Sequence, residues 1–457
     1  MMEKVTAVFD IGKTNKKFFL FNSDYQEVYR EYSRFETITD EDNHPTEDLE
    51  VLQNWIKEVF DRMLSNKQYN ITAINFSTYG ASLVHLDETG KVLTPLYNYT
   101  KPLKKKVVAD FYRKYGPEID FSRATGSLNS GMLNAGMQLY WIKYSKPEVF
   151  KKIRYSLHLP QYLNYIFTGI PISEYTSIGC HTALWHYAKK DYHQWVYAEG
   201  LEKTLPPIVS TETSINMNYN GKRIKIGVGI HDSSAALIPY VRSVQKKFIL
   251  VSTGTWSITL NPFSKGNLTK KEVEKECINY MRIDGKPVKS ARLFLGNEYN
   301  LQVKNLSERF NAEADYHKTV QFDSDIYLRI KENFKPIFRW QSIVEDNMPL
   351  ETNIPYDNFI EAYHHLMIEM VALQVKSIEL AMGSEKIKRL YVDGGFSDNN
   401  LFIKMLSLSL PSMKLRTTSS SLGSALGAAI AISDDKLNSK FLKKNYTLTK
   451  HLPILFK

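Results

Sequence analysis

A strand, a short polar turn and a second strand open the chain, and this order constrains the fold more than any other feature. Residues 5–10 are apolar and β-rich and lead into Asp10, Ile11 and Gly12; residues 13–17 are polar, and 18–22 are apolar again. That pattern reads as strand, turn, strand. A Walker-type phosphate loop or a dinucleotide fingerprint must open a helix, which residues 18–22 do not, so both classes are excluded. The same grammar returns in the second half. Residues 248–251 read as a strand, Ser252, Thr253, Gly254 and Thr255 as a turn, and 256–260 as another strand. The expectation is a structural duplication: two α/β halves meeting near residues 240–247, with a cleft between them of the kind ligands prefer.

Between these landmarks, apolar residues at Leu52, Trp55, Ile56, Val59 and Phe60 give residues 49–64 a helical period. Strands are expected at 71–76 and 83–86, with a turn at 87–90, and a largely helical stretch over 101–207 interrupts the first half. A helix following Asp232 is expected to end at Pro239, because proline cannot donate to the preceding turn. In the second half a long helix over 357–382 precedes a strand at 389–392. That strand breaks at Asp393, Gly394 and Gly395 and gives way to a helix over 399–410. The small residues of 419–430 read as a closely packed helix.

Composition removes other classes. The 59 basic and 49 acidic residues leave a net charge of +10, spread along the 457 residues rather than gathered in a tail. The densest cluster, Lys101 with Lys104, Lys105 and Lys106, reads as the solvated start of a helix running through Tyr115; recruitment of an anion is the sharper alternative. No nucleic-acid motif accompanies the charge, so nucleic acid is not an expected partner. Mean hydropathy is −0.34, and the longest small-apolar run, 424–432, is far short of the ~20 residues that span a bilayer. With no secretory leader recognisable at the start, a cytoplasmic location and no membrane partner are expected. Cys180 and Cys277 belong to no CxxC pair. His364, His365, His181, His186 and His193 match no zinc spacing, and no nucleophile elbow occurs.

What remains is chemistry carried by turns. At the first turn Asp10, Gly12 and Thr14 offer a carboxylate, a bare backbone and a hydroxyl. Glycine and hydroxyl suit a phosphate, while the acid can hold hydrated Mg²⁺ beside it; a plain hairpin is the alternative. Gly254 and Thr255 repeat this logic, and Gly394 and Gly395 leave room for a phosphate or a flat base. Asp232, preceded by His231 and followed by Ser233 and Ser234, has the chemistry of a helix N-cap. It also has that of a general base accepting a proton from a substrate hydroxyl. Phosphoryl transfer to an alcohol needs little beyond such a base, a metal and a phosphate cradle.

The ordered set Asp10–Gly12, Trp141, His231–Asp232, Thr253–Trp256 and Asp393–Gly395, spread over residues 5–432, resembles the FGGY carbohydrate kinases of the actin-like ATPase superfamily. His231, Asp232, residues 253–257 and 174–176 are most similar to L-rhamnulose kinases, with L-fuculose kinases close behind. The resemblance implies an α/β protein of two actin-like (ribonuclease H-like) ATPase domains, 1–243 for the sugar, the metal turn and the base, and 244–457 for the nucleotide. It implies ATP and Mg²⁺ as cofactors, with Asp10 and Asp232 at the metal and Asp232 as catalytic base. Gly12, Thr14, Gly254, Thr255, Gly394, Gly395 and Asn399 would line the nucleotide and its phosphates. Ser77, Thr78, Tyr79, Gly80, Glu174, Thr176, His231 and Asp232 would surround the sugar. The acceptor implied is a 6-deoxyketohexose such as L-rhamnulose or L-fuculose; a pentulose or polyol kinase and a sugar or nucleotide sensor without turnover are the alternatives. A homodimer is a candidate assembly. Three departures stand out. Lys13, where the family usually has a small residue or Thr, adds a positive charge at the phosphate turn, either to support phosphate or to point into solvent. Ser77 and Ser82, where rhamnulose kinases tend to carry acids, and residues 97–100, in place of a Trp-x-Asp-x-Arg stretch, would face the sugar.

Overall fold

The computed structural model describes residues 2–265, 267–345, 348–419 and 422–452. The chain forms two compact units. One comprises residues 1–244, 265–288 and 422–439; the other comprises 245–264, 289–421 and 440–457.

In the first unit the opening strands form where the apolar, β-rich runs place them. Glu3–Ile11 pairs antiparallel with Lys16–Asn22, which pairs in the same sense with Glu27–Ser33. On its other side Glu3–Ile11 runs parallel to Tyr69–Thr78, which also takes Lys222–Gly227 and, at its carboxyl end, Ile230–His231 in parallel. Ser214–Tyr219 closes that edge. Ala7, Phe9 and Ile11 share one face of the first strand and are wholly buried with Phe18, Leu20 and Phe76. Over this face lies the helix Leu49–Leu64, started by Asp48, whose carboxylate accepts from the N–H groups of Glu50 and Val51. Leu52, Ile56, Val59, Phe60 and Met63 point into the core. The ring of Trp55 meets Phe9 edge-on at 5.4 Å.

The second unit repeats the plan. Ile249–Thr253 pairs antiparallel with Ser257–Asn261, which pairs in turn with Pro287–Leu293 over residues 289–293. On the other side Ile249–Thr253 runs parallel to Arg389–Gly394, and this to Lys414–Thr417, with Thr449–Lys450 antiparallel beyond. Three antiparallel strands joined to parallel ones thus recur, which is the expected duplication at the level of topology. The helix Phe359–Met382 runs through the core of this unit, burying Leu366, Met367 and Met370 with Val251, Leu390 and Val392.

Three expectations are corrected. The helix after Asp232 does not end at Pro239 but runs from Asp232 to Ser243 with the proline inside it. Pro239 leaves the carbonyl of Ala235 without its helical donor. The helix Gly423–Ala431, part of the small-residue tract whose Ser420 and Ser421 lie outside the described residues, packs on that carbonyl. A Cβ at Gly427 would lie 1.9 Å from it, so only glycine fits. Second, the lysine cluster opens a helix as expected, Lys105–Tyr115 with Lys104 at its N-cap, but it is not solvated throughout. Lys101 is buried rather than solvated, its ammonium 2.6 Å from both Asp40 and Asp42. Third, the stretch 101–207 is largely helical as expected but also carries short paired strands, among them Tyr155–His158 on Leu83–Leu86. No helix of the described residues is long and apolar enough to cross a membrane.

Candidate active site

The parallel strands of the first unit deliver Asp10, Ser77 and His231 to one end of the sheet. In the ladder Asp10 faces Lys17 on one side and Ser77 on the other, while Thr78 faces His231. Gly12 closes the following turn through its N–H to Asn15 O at 3.0 Å, and Thr14 stands exposed at the tip. Asp10 is buried, yet it has partners: Ser424 Oγ donates to Oδ1 at 2.9 Å and Lys17 Nζ stands 3.9 Å from Oδ2. Burial pushes its carboxyl above the ordinary range, Lys17 and Ser424 oppose this, and the charge of Asp232 adds to the rise. The two acids expected at the metal therefore share one electrostatic environment.

Asp232 is the first residue of its helix, not the N-cap; that position belongs to His231, whose side chain makes no capping bond. The Asp232 carboxylate still serves the helix start, Oδ1 accepting from Ser233 N at 2.5 Å and from Ser233 Oγ at 3.2 Å. Its side chain is 36% exposed, which leaves it accessible to an acceptor hydroxyl. His231 is buried beside it, Nε2 3.4 Å from Asp232 Oδ1 and 3.5 Å from Cys180 Sγ.

Support for His231 comes from behind. Its N–H donates to Thr176 Oγ1 at 3.1 Å. Thr176 is held by Glu174, a wholly buried carboxylate that accepts from Thr176 N and Oγ1, Ser177 N and Thr211 Oγ1, at 2.6–2.7 Å. Every lone pair of that acid facing the protein is engaged, so Glu174 acts by fixing Thr176. Gly80 packs directly on the imidazole, where a Cβ would lie 2.8 Å from Cδ2 and 2.9 Å from Nε2. Thr78 is buried with its hydroxyl on Tyr79 O. Tyr79 donates to Glu47 Oε1 at 2.8 Å, and burial raises its phenol well above the ordinary range.

Glu47 also answers the question posed by Lys13. Lys13 Nζ lies 3.2 Å from one of its oxygens and Lys16 Nζ 2.9 Å from the other, with Lys13 over the rings of Tyr79 and Tyr99. Tyr97, expected near the sugar, is instead buried against Trp141 and donates to Glu41. His364 and His365 are buried and hydrogen-bonded. Among the described residues no group of three His, Cys, Asp or Glu side chains gathers as a metal site.

In the second unit the other candidates meet at adjacent turns. Thr253 and Gly394 are register partners, and the Thr253 hydroxyl donates to Asp393 O while accepting from Phe396 N at 3.0 Å. Gly394 takes a φ of +80°, and a Cβ there would lie 1.9 Å from Thr253 O. Gly395 is exposed with open space around its Cα. Gly254 and Thr255 are exposed at the neighbouring turn, where Gly254 N donates to Trp256 O and Thr255 O accepts from Asn297 N. Asn399 caps the helix Asn400–Ser409 through Phe402 N, and its amide reaches Tyr363 OH at 3.1 Å. Bare backbone beside open space is what a phosphate or a base requires.

Sequence reasoning missed Glu47, Lys17, Cys180 and Ser424. Lys17 was recoverable, since pairing the hairpin places it opposite Asp10. Ser424 lies 414 residues from its partner and carried no local signal.

The chain is similar to known proteins over most of its length. The N-terminal domain of the FGGY family of carbohydrate kinases matches residues 5–237, and an FGGY carbohydrate kinase C-terminal domain matches 245–330. A rhamnulokinase of Mannheimia succiniciproducens is 23% identical over 404 residues, 82% of this chain and 77% of that protein. The crystal structure of a carbohydrate kinase from Novosphingobium aromaticivorans superposes with a TM-score of 0.78 at 22% identity, covering 98% of this chain and 96% of that one. Plasmodium falciparum glycerol kinase, solved with ADP, gives 0.71 at 16% identity, over 94% and 89%. The chain belongs to the FGGY family of carbohydrate kinases, phosphotransferases with the two-domain actin-like fold.

Proposed function

We propose that this kinase transfers the γ-phosphoryl group of ATP to a hydroxyl of a ketose, a 6-deoxyketohexose such as L-rhamnulose or L-fuculose. The observation that carries the catalytic part is the contrast between two coupled acids, Asp10 buried and Asp232 open at a helix start. In this reading Asp232 takes the proton of the acceptor hydroxyl through Oδ2, since Oδ1 is engaged by Ser233. As the proton leaves, the acceptor oxygen bonds to the γ-phosphorus and the bond to the β-phosphate oxygen breaks, releasing ADP.

Asp10 and Asp232 fit Mg²⁺, which needs few protein ligands because it keeps most of its waters. A cation there would relieve the burial and mutual repulsion that raise the Asp10 carboxyl; when bound, it supplies charge neutralisation for the phosphates. Gly12 and Thr14 suit the phosphate end of ATP, and Gly254, Thr255, Gly394, Gly395 and Asn399 suit the rest. Sugar binding, metal turn and base are thus assigned to the first unit and the nucleotide to the second. Ser77, Thr78, Tyr79, Gly80 and His231 form the acceptor wall, supported by Glu174 and Thr176. The rhamnulokinase relative supports the 6-deoxyketohexose. The neutral Ser77 and Ser82 favour a second reading, a pentulose or polyol acceptor.

The test is ADP release from Mg-ATP with L-rhamnulose, L-fuculose, L-ribulose, D-xylulose, D-ribulose and glycerol, with Asp232→Asn alongside. Turnover with one acceptor, lost in the variant while ATP still binds, is expected. Normal turnover by Asp232→Asn would remove the base assignment. ATP binding without turnover on any acceptor would favour a sensor.

A further inference from the structure

Behind the acceptor wall lies a small cavity lined by Tyr79, Gly80, Ser82, His158, Pro160, Ser177 and His231, with room for about one water-sized group. Four polar atoms on its lining have no hydrogen-bond partner: Ser82 Oγ, His158 Nε2, Ser177 Oγ and His231 Nδ1. Their side chains belong to residues only 2–4% exposed. One such orphan is tolerable in a protein interior; four converging on one void are not, because buried polar groups are nearly always paired. The arrangement calls for an occupant that both donates and accepts.

We propose that this cavity is a hydroxyl-reading subsite of the acceptor site, in which Ser82, His158, Ser177 and His231 together bind one hydroxyl of a neutral sugar and so set which sugar is phosphorylated. The inference rests on Asp232 as the base, because His231 joins the two: Nε2 is 3.4 Å from Asp232 Oδ1 and Nδ1 is the unpaired atom. Nε2 faces both Asp232 Oδ1 and Cys180 Sγ, so Nδ1 meets the occupant as acceptor or donor according to the tautomer. A hydroxyl answers either tautomer, and with one proton and two lone pairs it can satisfy three of the four atoms. A group about 3 Å from Nδ1 lies within about 8 Å of the Asp232 carboxylate, the reach of a six-carbon chain. Access is past Gly80, the one lining residue that is not buried. An anion is disfavoured: burial, with the neighbouring His231, pushes the His158 imidazole down to about 3, so it carries no charge at neutral pH.

The same hydrogen-bonding chemistry could come from a trapped water, and the experiment separates the two sources. Binding of the six acceptors above is measured by titration calorimetry on the native protein and on Ser82→Ala, Ser177→Ala and His158→Phe. KM is measured for the acceptor that binds best and for its monodeoxy analogues. The subsite predicts that Ser177→Ala and Ser82→Ala each raise KM by about tenfold or less, the worth of one neutral hydrogen bond. His158→Phe, which fills the void, should raise it by more. One monodeoxy analogue should bind native protein and serine variants alike, because the lost partner is the same. If every analogue loses as much as the parent, the cavity holds only water and the proposal falls. It falls equally if no neutral sugar of the panel binds the native protein, or if all three variants bind like it. Loss of transfer in Asp232→Asn with unaltered subsite variants would sink the subsite and keep the kinase reading. The reverse pattern, selective sugar binding with turnover surviving Asp232→Asn, would sink the base and keep the subsite. Serine-to-alanine changes remove one buried oxygen each, and unfolding midpoints confirm that the variants fold.

Discussion

Gly80→Ala puts the geometry around His231 to a direct test. The new methyl would lie 2.8 Å from Cδ2 and 2.9 Å from Nε2 of the imidazole, against ~3.5–4 Å for an unstrained carbon contact. Gly80 has no left-handed backbone to strain, so the cost falls on the ring. Overpacking of this kind costs about 1–3 kcal/mol, offset by about 0.4–1 kcal/mol because alanine has less freedom to lose on folding. The ring cannot retreat freely, since its backbone is fixed to Thr176 and its edge faces Cys180 and Asp232. If Asp232 is the base as proposed, a displacement approaching ~1 Å beside it lowers kcat/KM by about 10²-fold. The assay is a double-mutant cycle with His231→Ala, reading urea-unfolding midpoints and kcat/KM. With the ring removed, Gly80→Ala should become neutral or slightly stabilising and should cost no further activity, giving a coupling of about 1–3 kcal/mol. Equal losses in both backgrounds would refute the steric reasoning and mean that Gly80 is required by substrate or backbone instead.

Further predictions concern pH and close packing. Because burial raises the Asp10 carboxyl above its unfolded value, the folded state is penalised once pH rises through the folded pKa. Asp10→Asn should therefore raise the unfolding temperature at pH 7, with the gain vanishing below about pH 4, even as activity is lost; no stabilisation at neutral pH would contradict a cost of burying this carboxylate. Glu199 is the opposite case. Burial works against its charge, but hydrogen bonds from Lys114, Lys143, Tyr115 and Tyr144 hold its carboxyl down at about 2. The stability it contributes is present above the unfolded pKa and lost as pH falls towards 2, so the melting difference between native protein and Glu199→Gln should shrink over that window. Gly394→Ala combines a φ of +80° with a 1.9 Å approach to Thr253 O. Weakened ATP binding is expected, read by titration with sugar affinity unchanged; native ATP affinity would remove this turn from the nucleotide site.

Much of the fold was legible because it rests on local periodicity. The apolar run from Val5 marked the first strand, and the spacing of Leu52, Ile56 and Val59 marked the helix over it. Local rules failed where a distant partner reversed a cost. Pro239 ends a helix only if the carbonyl it abandons must find a donor, and Gly427, far along the chain, packs on that carbonyl. Lys101 reads as a solvated charge until Asp40 and Asp42 are folded against it.

The site divides along the same line. Asp10, Gly12, Asp232, Gly254 and Gly394 were visible in sequence because each sits at a turn, and turn chemistry is written in consecutive residues. Their residue types suit the proposed chemistry, phosphate on bare backbone and a proton on a carboxylate. Tertiary structure decided which atoms are free to act. It spent every bond of Glu174 on holding Thr176, paired Lys13 and Lys16 on Glu47, and brought Ser424 to Asp10. It also left four polar atoms beside His231 without partners. Hydrogen-bond satisfaction depends on neighbours in space, and neighbours separated by tens to hundreds of residues leave no trace in a periodic pattern.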